Sequence, residues 1–507
     1  MHCLLPSAAV ILPLATAIAV RDPGSQSWQQ LPGSLYTPPE PWASCKDTDW
    51  PVSNIGVPIQ PQAPDAELEA MLAEVDPARI ERTISTLVSF GTRHTLSTQN
   101  DSTRGIGAAR DWLLSEMQSF ADTSNGGMEA YLNSYIQQPD GDRVAFAVNI
   151  SNVVGQINGT DDPNRVYVVT GHYDSRRLDI MDYTHDAPGA DDDGSGVAVV
   201  LELARLFAKK KPRATMIFAT VAGEEQNLYG STHLAKTLKK AGYNVEADFN
   251  DDTVGTGKNP PFNPINDYTL RLFGASIYYP NVSTSAYQSE VGLAGDWNDS
   301  PAQNLGRYFA EVVAGAAKSV GMQIKLIYRP DRFLRGGDHL PFLEEGFPAV
   351  RLTEAVENFA HQHQNVRVQN GHQYGDLLKY VDFDYVARVA RANMAAMWGL
   401  ANAPRLPRNV TISENIGFTA LDKSTPFKDL SNDSKFCWNR GNDPLVSSYE
   451  LVWRESGNLQ WSHSLDVGDV GHVRVELLKD NLQFGIRAVG ADGRKSPAVL
   501  PLPSEYC

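Results

Sequence analysis

The sequence predicts an α/β molecule in two parts: a three-layer α/β/α domain around a mixed, largely parallel sheet, followed by an all-β sandwich. Three observations predict it. From Ala145, strand-like and helix-like runs alternate, the pattern of parallel strands joined by crossover helices. The runs RVYVVTGHYDS and ATMIFATVAGEE stay apolar until they end in polar residues, as strands buried on both faces do. After ANAPRLP, residues 401 to 407, the pattern becomes short alternating strands at regular spacing. The expected divisions are an export signal over residues 1–20, a leader or pro-segment over 21–64, the α/β domain over 65–402 and the sandwich over 403–507.

Each element has its own justification. Leu4 to Val20 is apolar, and Ala15, Ala17 and Ala19 offer two A-x-A cleavage patterns, which predicts a secreted, extracellular protein. Residues 21 to about 60 are rich in Pro, Ser and Gln and read as loose chain. ELEAMLAEVD, PARIERTISTLVSF and Ile106 to Phe120 carry helical spacing of apolar residues. AFAVNISNVVGQI reads as a strand pair, SGVAVVLELARLFAKK as a helix, and Tyr385 to Leu400 as the closing helix of the domain. No segment after the signal reaches the ~18 apolar residues of a membrane span.

Composition narrows the partners. A chain of 507 residues with 42% hydrophobic and 21% charged residues is globular and long enough for more than one core. A formal net charge of −16 leaves no basic surplus for a nucleic-acid backbone. Asn100, Asn149, Asn158, Asn281, Asn298, Asn409 and Asn432 each open an N-x-S/T triplet, so N-linked glycans are expected. Of four cysteines, Cys3 would leave with the signal. Cys437 and Cys507, both in the C-terminal segment, are the preferred pair, with Cys45 left over.

Unusual polar residues collect where strands should end, the position at which open α/β sheets bind ligands. His172 and Asp174 follow RVYVVTG; on a strand, residues two apart face the same side, so the carboxylate can fix the imidazole tautomer that a metal needs. APGADDDGSGVA sets three aspartates before a helix, costly unless a cation or the helix N-terminus offsets their repulsion. Glu224 and Glu225 directly follow an apolar strand, so one can ligate metal while the other acts as general base. FNDDTVG supplies Asp251 and Asp252, and NFAHQHQ supplies His361 and His363. Any one of these is as well explained by a solvated loop, but five strand ends in the order His, Asp, Glu, Asp, His are not.

In these motifs the chain resembles the di-zinc aminopeptidase family that also includes glutamate carboxypeptidases, glutaminyl cyclases and the transferrin receptor ectodomain. The resemblance runs from Asp76 to Ala401 and takes in SFGTRHT, GGDHLPF and FPAVRLTE. It implies two zinc ions per chain and peptides as substrates. His172 and Asp252 would hold one ion, Glu225 and His361 the other, and Asp192 would bridge them, with a cis peptide to Asp193. Glu224 would be the general base for a zinc-activated water, and Asp174 would orient His172. Asp251 remains the alternative to Asp252, and His363 to His361.

The resemblance also sets the competing expectations. A glutaminyl cyclase of this fold uses a single zinc, whereas His172 and Asp252 complete a second site here. A catalytically inactive binding ectodomain would have lost ligands. A carboxypeptidase needs an anchor for the substrate's terminal carboxylate, and no arginine cluster is recognisable along the chain. The C-terminal stretch resembles a fibronectin type III domain, with Trp438 and Trp453 as core aromatics, although Leu482 stands where that fold often carries a tyrosine.

Overall fold

The computed structural model describes residues 54–258, 268–276, 298–413, 433–504 and Cys507. The expected export signal, the leader up to residue 53, Cys45 and the glycan acceptors Asn281 and Asn432 lie outside the described residues.

Strand β1 (Val57–Pro58) comes first, followed by helices α1 (Ala66–Ala73), α2 (Pro77–Ser89) and α3 (Gly105–Thr123). Asp65 caps α1 by accepting from the Leu68 N–H, and Asp76 caps α2 by accepting from the Ala78 N–H, with Pro77 in the first turn. Such caps satisfy donors that a helix start leaves free. The large sheet contains β2 (Met128–Gln137), β3 (Val148–Ile157), β4 (Asp162–His172), β5 (Ala214–Val221), β6 (Asn244–Asp251), β7 (Thr269–Gly274), β8 (Gln323–Ile327) and β9 (Ala349–Glu354). Its spatial order is β2-β3-β5-β4-β6-β9-β7-β8.

The four central strands β5, β4, β6 and β9 run parallel. β3 and β7 are antiparallel to their inner neighbours, so the sheet is mixed as expected. Helices α4 (Gly194–Phe207), α5 (Tyr229–Lys240), α6 (Pro301–Gly315), α7 (Ala317–Val320), α8 (His339–Glu344) and α9 (Phe383–Asn402) complete the domain. Successive side chains of β4 serve opposite cores: Tyr167 and Val169 join α2, α3, α4 and α9, whereas Val166 and Val168 join α5 and α8. This two-sided burial is why those strands read as unbroken apolar runs.

Two elements differ from expectation. AFAVNISNVVGQI is one strand, β3, and its partner is β2, whose MEAYLNSYIQ is half-exposed along its length and shows no apolar run. Residues 54–64 also differ from loose leader: β1 pairs antiparallel with a strand of the C-terminal sandwich, Val57 opposite Ser464.

That sandwich follows a short hairpin, β10 (Arg367–Gln369) with β11 (His372–Tyr374), and begins six residues after α9. Its strands are β12 (Arg408–Ser413), β13 (Ser434–Asn439), β14 (Val446–Glu455), β15 (His463–Gly468), β16 (His472–Val475), β17 (Leu482–Gly490) and β18 (Leu502–Ser504). With β1 they form two four-stranded sheets, β1-β15-β14-β17 and β16-β13-β12-β18. Trp438 and Trp453 are buried in the core, and Cys437 is bridged to Cys507. Ile55–Cys507 forms one unit. No described helix is long and apolar enough to cross a membrane.

Candidate metal centre

The central parallel strands deliver their polar ends side by side. β4 ends on His172, β5 leads into Glu224 and Glu225, β6 leads into Asp252, and β9 leads into the loop carrying His361 and His363. Asp192 precedes α4, and its peptide bond to Asp193 is cis. Asp193 fastens this corner: one carboxylate oxygen accepts from the His172 N–H at 2.9 Å, the other from the Gly196 and Thr253 N–H groups. Gly196 is required by space, since a Cβ there would lie 2.1 Å from the Asp251 carbonyl oxygen. Arg93, fully buried, donates to the carbonyls of Tyr173, Pro188 and Gly189 and so ties the His172 loop to the aspartate loop.

Among the described residues, two groups can hold a metal ion: His172, Asp192 and Asp252, and Asp192, Glu225 and His363. Asp192 belongs to both. His172 Nε2 lies 3.1 Å from Asp192 Oδ1 and 3.9 Å from Asp252 Oδ2. His363 Nε2 lies 2.7 Å from Asp192 Oδ2 and 3.0 Å from Glu225 Oε1. Asp251 points elsewhere and accepts from Asn393 of α9 at 2.9 Å.

His361 does not reach the cluster, which corrects the expectation that it would join Glu225. Its ring stacks on Tyr380 with centroids 3.7 Å apart, and His363 takes the place beside Glu225. The loop turns through a left-handed conformation at His363, φ 57°, so the same-side rule for residues two apart does not apply. Asp174 adjoins His172 as expected, but through its carbonyl oxygen. His172 Nδ1 is 3.1 Å from the Asp174 carbonyl oxygen but 3.6 Å from its carboxylate, beyond hydrogen-bond range. The Asp174 carboxylate instead accepts from the Glu224 and Glu225 N–H groups and from Thr95, fixing the turn that carries both glutamates.

Several supporting residues escaped sequence reading. Arg176 Nε lies 2.6 Å from Glu225 Oε2, and Arg351 Nη1 lies 2.6 Å from Asp252 Oδ2. Gln362 donates to Asp192 Oδ2, and Asp376 accepts the N–H groups of Asp191 and Asp192. Arg351 sits within FPAVRLTE, but nothing in its spacing identifies its partner.

The electrostatics fit a cation. Burial opposes a charge on His363, yet the Glu225 and Asp192 carboxylates carry its pKa up to about 10. Burial would raise Glu225, but His363 and Arg176 hold it down to about 2. Burial and the neighbouring carboxylates of Glu225 and Asp252 push Glu224 well above the usual carboxylate range, against the pull of His172. The donor set of buried carboxylate oxygens and imidazole nitrogens suits zinc. The cluster floors a cleft of about 320 Å3, to which Glu224 also contributes.

The model of peptidase family M28 matches residues 152–397, the stretch that supplies His172 through His363. A protein of Pyrenophora teres f. teres named "Probable zinc metalloprotease" is 51% identical over 470 residues, covering 92% of this chain and 93% of that one. The chain belongs to peptidase family M28. A second relative, the "Probable zinc metalloprotease" of Pyricularia oryzae, is 48% identical over 510 residues and covers 98% of each chain. Among solved structures, the LapA aminopeptidase of Legionella pneumophila aligns at 18% identity and a TM-score of 0.48, over 69% of this M28 chain and 77% of that one.

Proposed function

We propose that this M28 chain is a secreted, zinc-dependent aminopeptidase that removes residues from the N-termini of peptides. The observation that carries the reading is the Asp192 carboxylate, shared by two sets of three ligands within 4.8 Å of one another. His172, Asp192 and Asp252 would hold one ion, and Asp192, Glu225 and His363 the other. When bound, such a zinc pair supplies Lewis acidity toward a scissile carbonyl and a more acidic water.

The protein's own groups do the rest. Glu224, half-buried in the cleft beside other acids, is suited to take a proton from the attacking water and return it to the leaving amine. Asp174 holds the backbone of Glu224 and Glu225, so the base and its neighbouring ligand move together. Arg176, Arg351 and Gln362 each fix one ligand carboxylate, which favours a set geometry before substrate arrives. The names of the relatives support zinc. The apolar N-terminus and the Cys437–Cys507 bridge support export to an oxidising compartment.

The test is hydrolysis of aminoacyl-anilides, with N-acetylated versions as controls, before and after chelation and with zinc restored. Zinc-dependent cleavage of free-amine substrates alone is expected, and Glu224→Gln should lower kcat by about 10²–10⁴-fold while keeping its metal. Cleavage of the acetylated substrates, or full activity in the variant, would overturn the assignment. Export is checked by N-terminal sequencing of protein recovered from culture medium. A chain still beginning at Met1 would refute it.

A further inference from the structure

Resting on the exopeptidase reading, we infer that the cleft is built to take a carboxylate of the substrate close to the scissile bond. Four arginines from three separate segments line it: Arg143, Arg176, Arg332 and Arg335. Four acids line it too, Asp192, Glu224, Glu225 and Asp252, and all four converge on the metal centre. Two divalent cations would offset those four charges, and the arginines then dominate the field above the floor.

Two of the four are committed to the protein. Arg176 pairs with Glu225, and Arg332 spends its nitrogens on Asp331, Glu357 and the Gly336 carbonyl. The other two have donors to spare. Arg335 uses Nη1 on Glu357, a carboxylate that already serves Arg271 and Arg332. Glu357 thus shares its charge among three guanidinium groups, of which Arg332 has Asp331 besides. Arg143 uses Nη1 on the Glu225 carbonyl, and its nearest carboxylate, exposed Asp142, is 4.0 Å from Nε. Side-chain exposures of 37% for Arg143 and 30% for Arg335 leave both accessible. A guanidinium with free N–H groups in a cleft matches a carboxylate in charge and in planar geometry.

The ligand is thus a peptide carrying a carboxylate within about one residue of the cut. Its source is either an acidic side chain or the free α-carboxylate of a very short peptide. Exposed Leu334 lines the same cleft and suits the carbon skeleton of such a residue.

The experiment compares kcat/KM for glutamyl- against glutaminyl-anilide, and for Leu-Gly against Leu-Gly-amide, using the zinc-loaded full chain. One charge-assisted contact gives a preference of about tenfold or more for the charged member of a pair. A preference in the first pair identifies a side-chain carboxylate, and in the second an α-carboxylate. Either preference should fall toward 1 in Arg335→Gln or Arg143→Gln, be partly kept in Arg335→Lys, and shrink with added salt. Ratios near 1 in both pairs, or a preference untouched by both Gln variants, would overturn the inference while leaving the peptidase reading intact. Failure to cleave any of the four substrates would instead refute the peptidase reading and this inference with it.

Discussion

Replacing His363 and His361 separately by alanine tests which histidine completes the second of the two proposed metal sites. The His363 imidazole is the only nitrogen donor of the group formed with Asp192 and Glu225, at 2.7 and 3.0 Å from their oxygens. Loss of a group that merely supports a metal ligand costs about 10–100-fold in affinity. Loss of the ligand itself should cost more, above about 100-fold or ~2.7 kcal/mol. His363→Ala should therefore leave the chain with one zinc instead of two after gel filtration in metal-free buffer, read by elemental analysis and by competition with a chelating dye. His361→Ala removes a ring stacked on Tyr380 and should cost about 0.5–1.5 kcal/mol of stability with both ions retained. An alanine at 361 that loses an ion while an alanine at 363 keeps both would refute the assignment.

Protons and zinc should compete for the same groups. Because His363 is raised to about 10 in the metal-free fold from ~6.5 in an unfolded chain, its stabilising contribution is complete below about pH 6.5 and lost as pH rises toward about 10. Chelated protein should accordingly melt lower at pH 9.5 than at pH 6.5, the zinc-loaded protein should lose less, and zinc binding at pH 7.5 should release protons in calorimetry across buffers. A chelated protein that gains stability over that range would contradict the sign. Asp299 lies between Arg307 Nη1 at 2.8 Å and Arg454 Nη2 at 2.6 Å, all three buried. Asp299→Ala should cost about 3–5 kcal/mol in a thermal or denaturant melt, because two guanidinium groups lose their counter-charge.

Most of the α/β frame was legible because its physics is local. Helices α1 to α4 and α9 show apolar spacing or capping aspartates, and β4 and β5 carry the unbroken apolar runs that two-sided burial demands. His172, Asp192, Glu224, Glu225 and Asp252 were legible as candidates because each follows or adjoins such an element. The choice between His361 and His363 was not, since it turns on one left-handed residue within a loop. The arginines of the cleft were invisible for a different reason. Arg143, Arg176 and Arg335 are far apart along the chain, and only the topology of the sheet brings them to one wall. The edge strand β2 escaped because exposure breaks up the pattern that makes β4 conspicuous.

Residues 55–64, expected to be the end of a leader or pro-segment, contact both the sandwich and the α/β domain. Beside β1, Ile59 donates to the Ser462 carbonyl and Gly56 lies so close to Trp453 that a Cβ would fall 2.1 Å from the indole. Gln62 accepts from the Lys495 N–H, and its backbone lies against Gly315 at the end of α6. Asp65 caps α1 while it also pairs with Arg494 of the sandwich. From the other side, Arg487 of β17 reaches Glu311 of α6 at 2.8 Å, and Arg307 of α6 donates to the Leu459 carbonyl at 2.7 Å. Buried charged contacts such as Arg487–Glu311 are costly to expose singly, so separating the sandwich from the α/β domain would strand several at once. The sandwich and residues 55–64 are therefore structural parts of one folded unit.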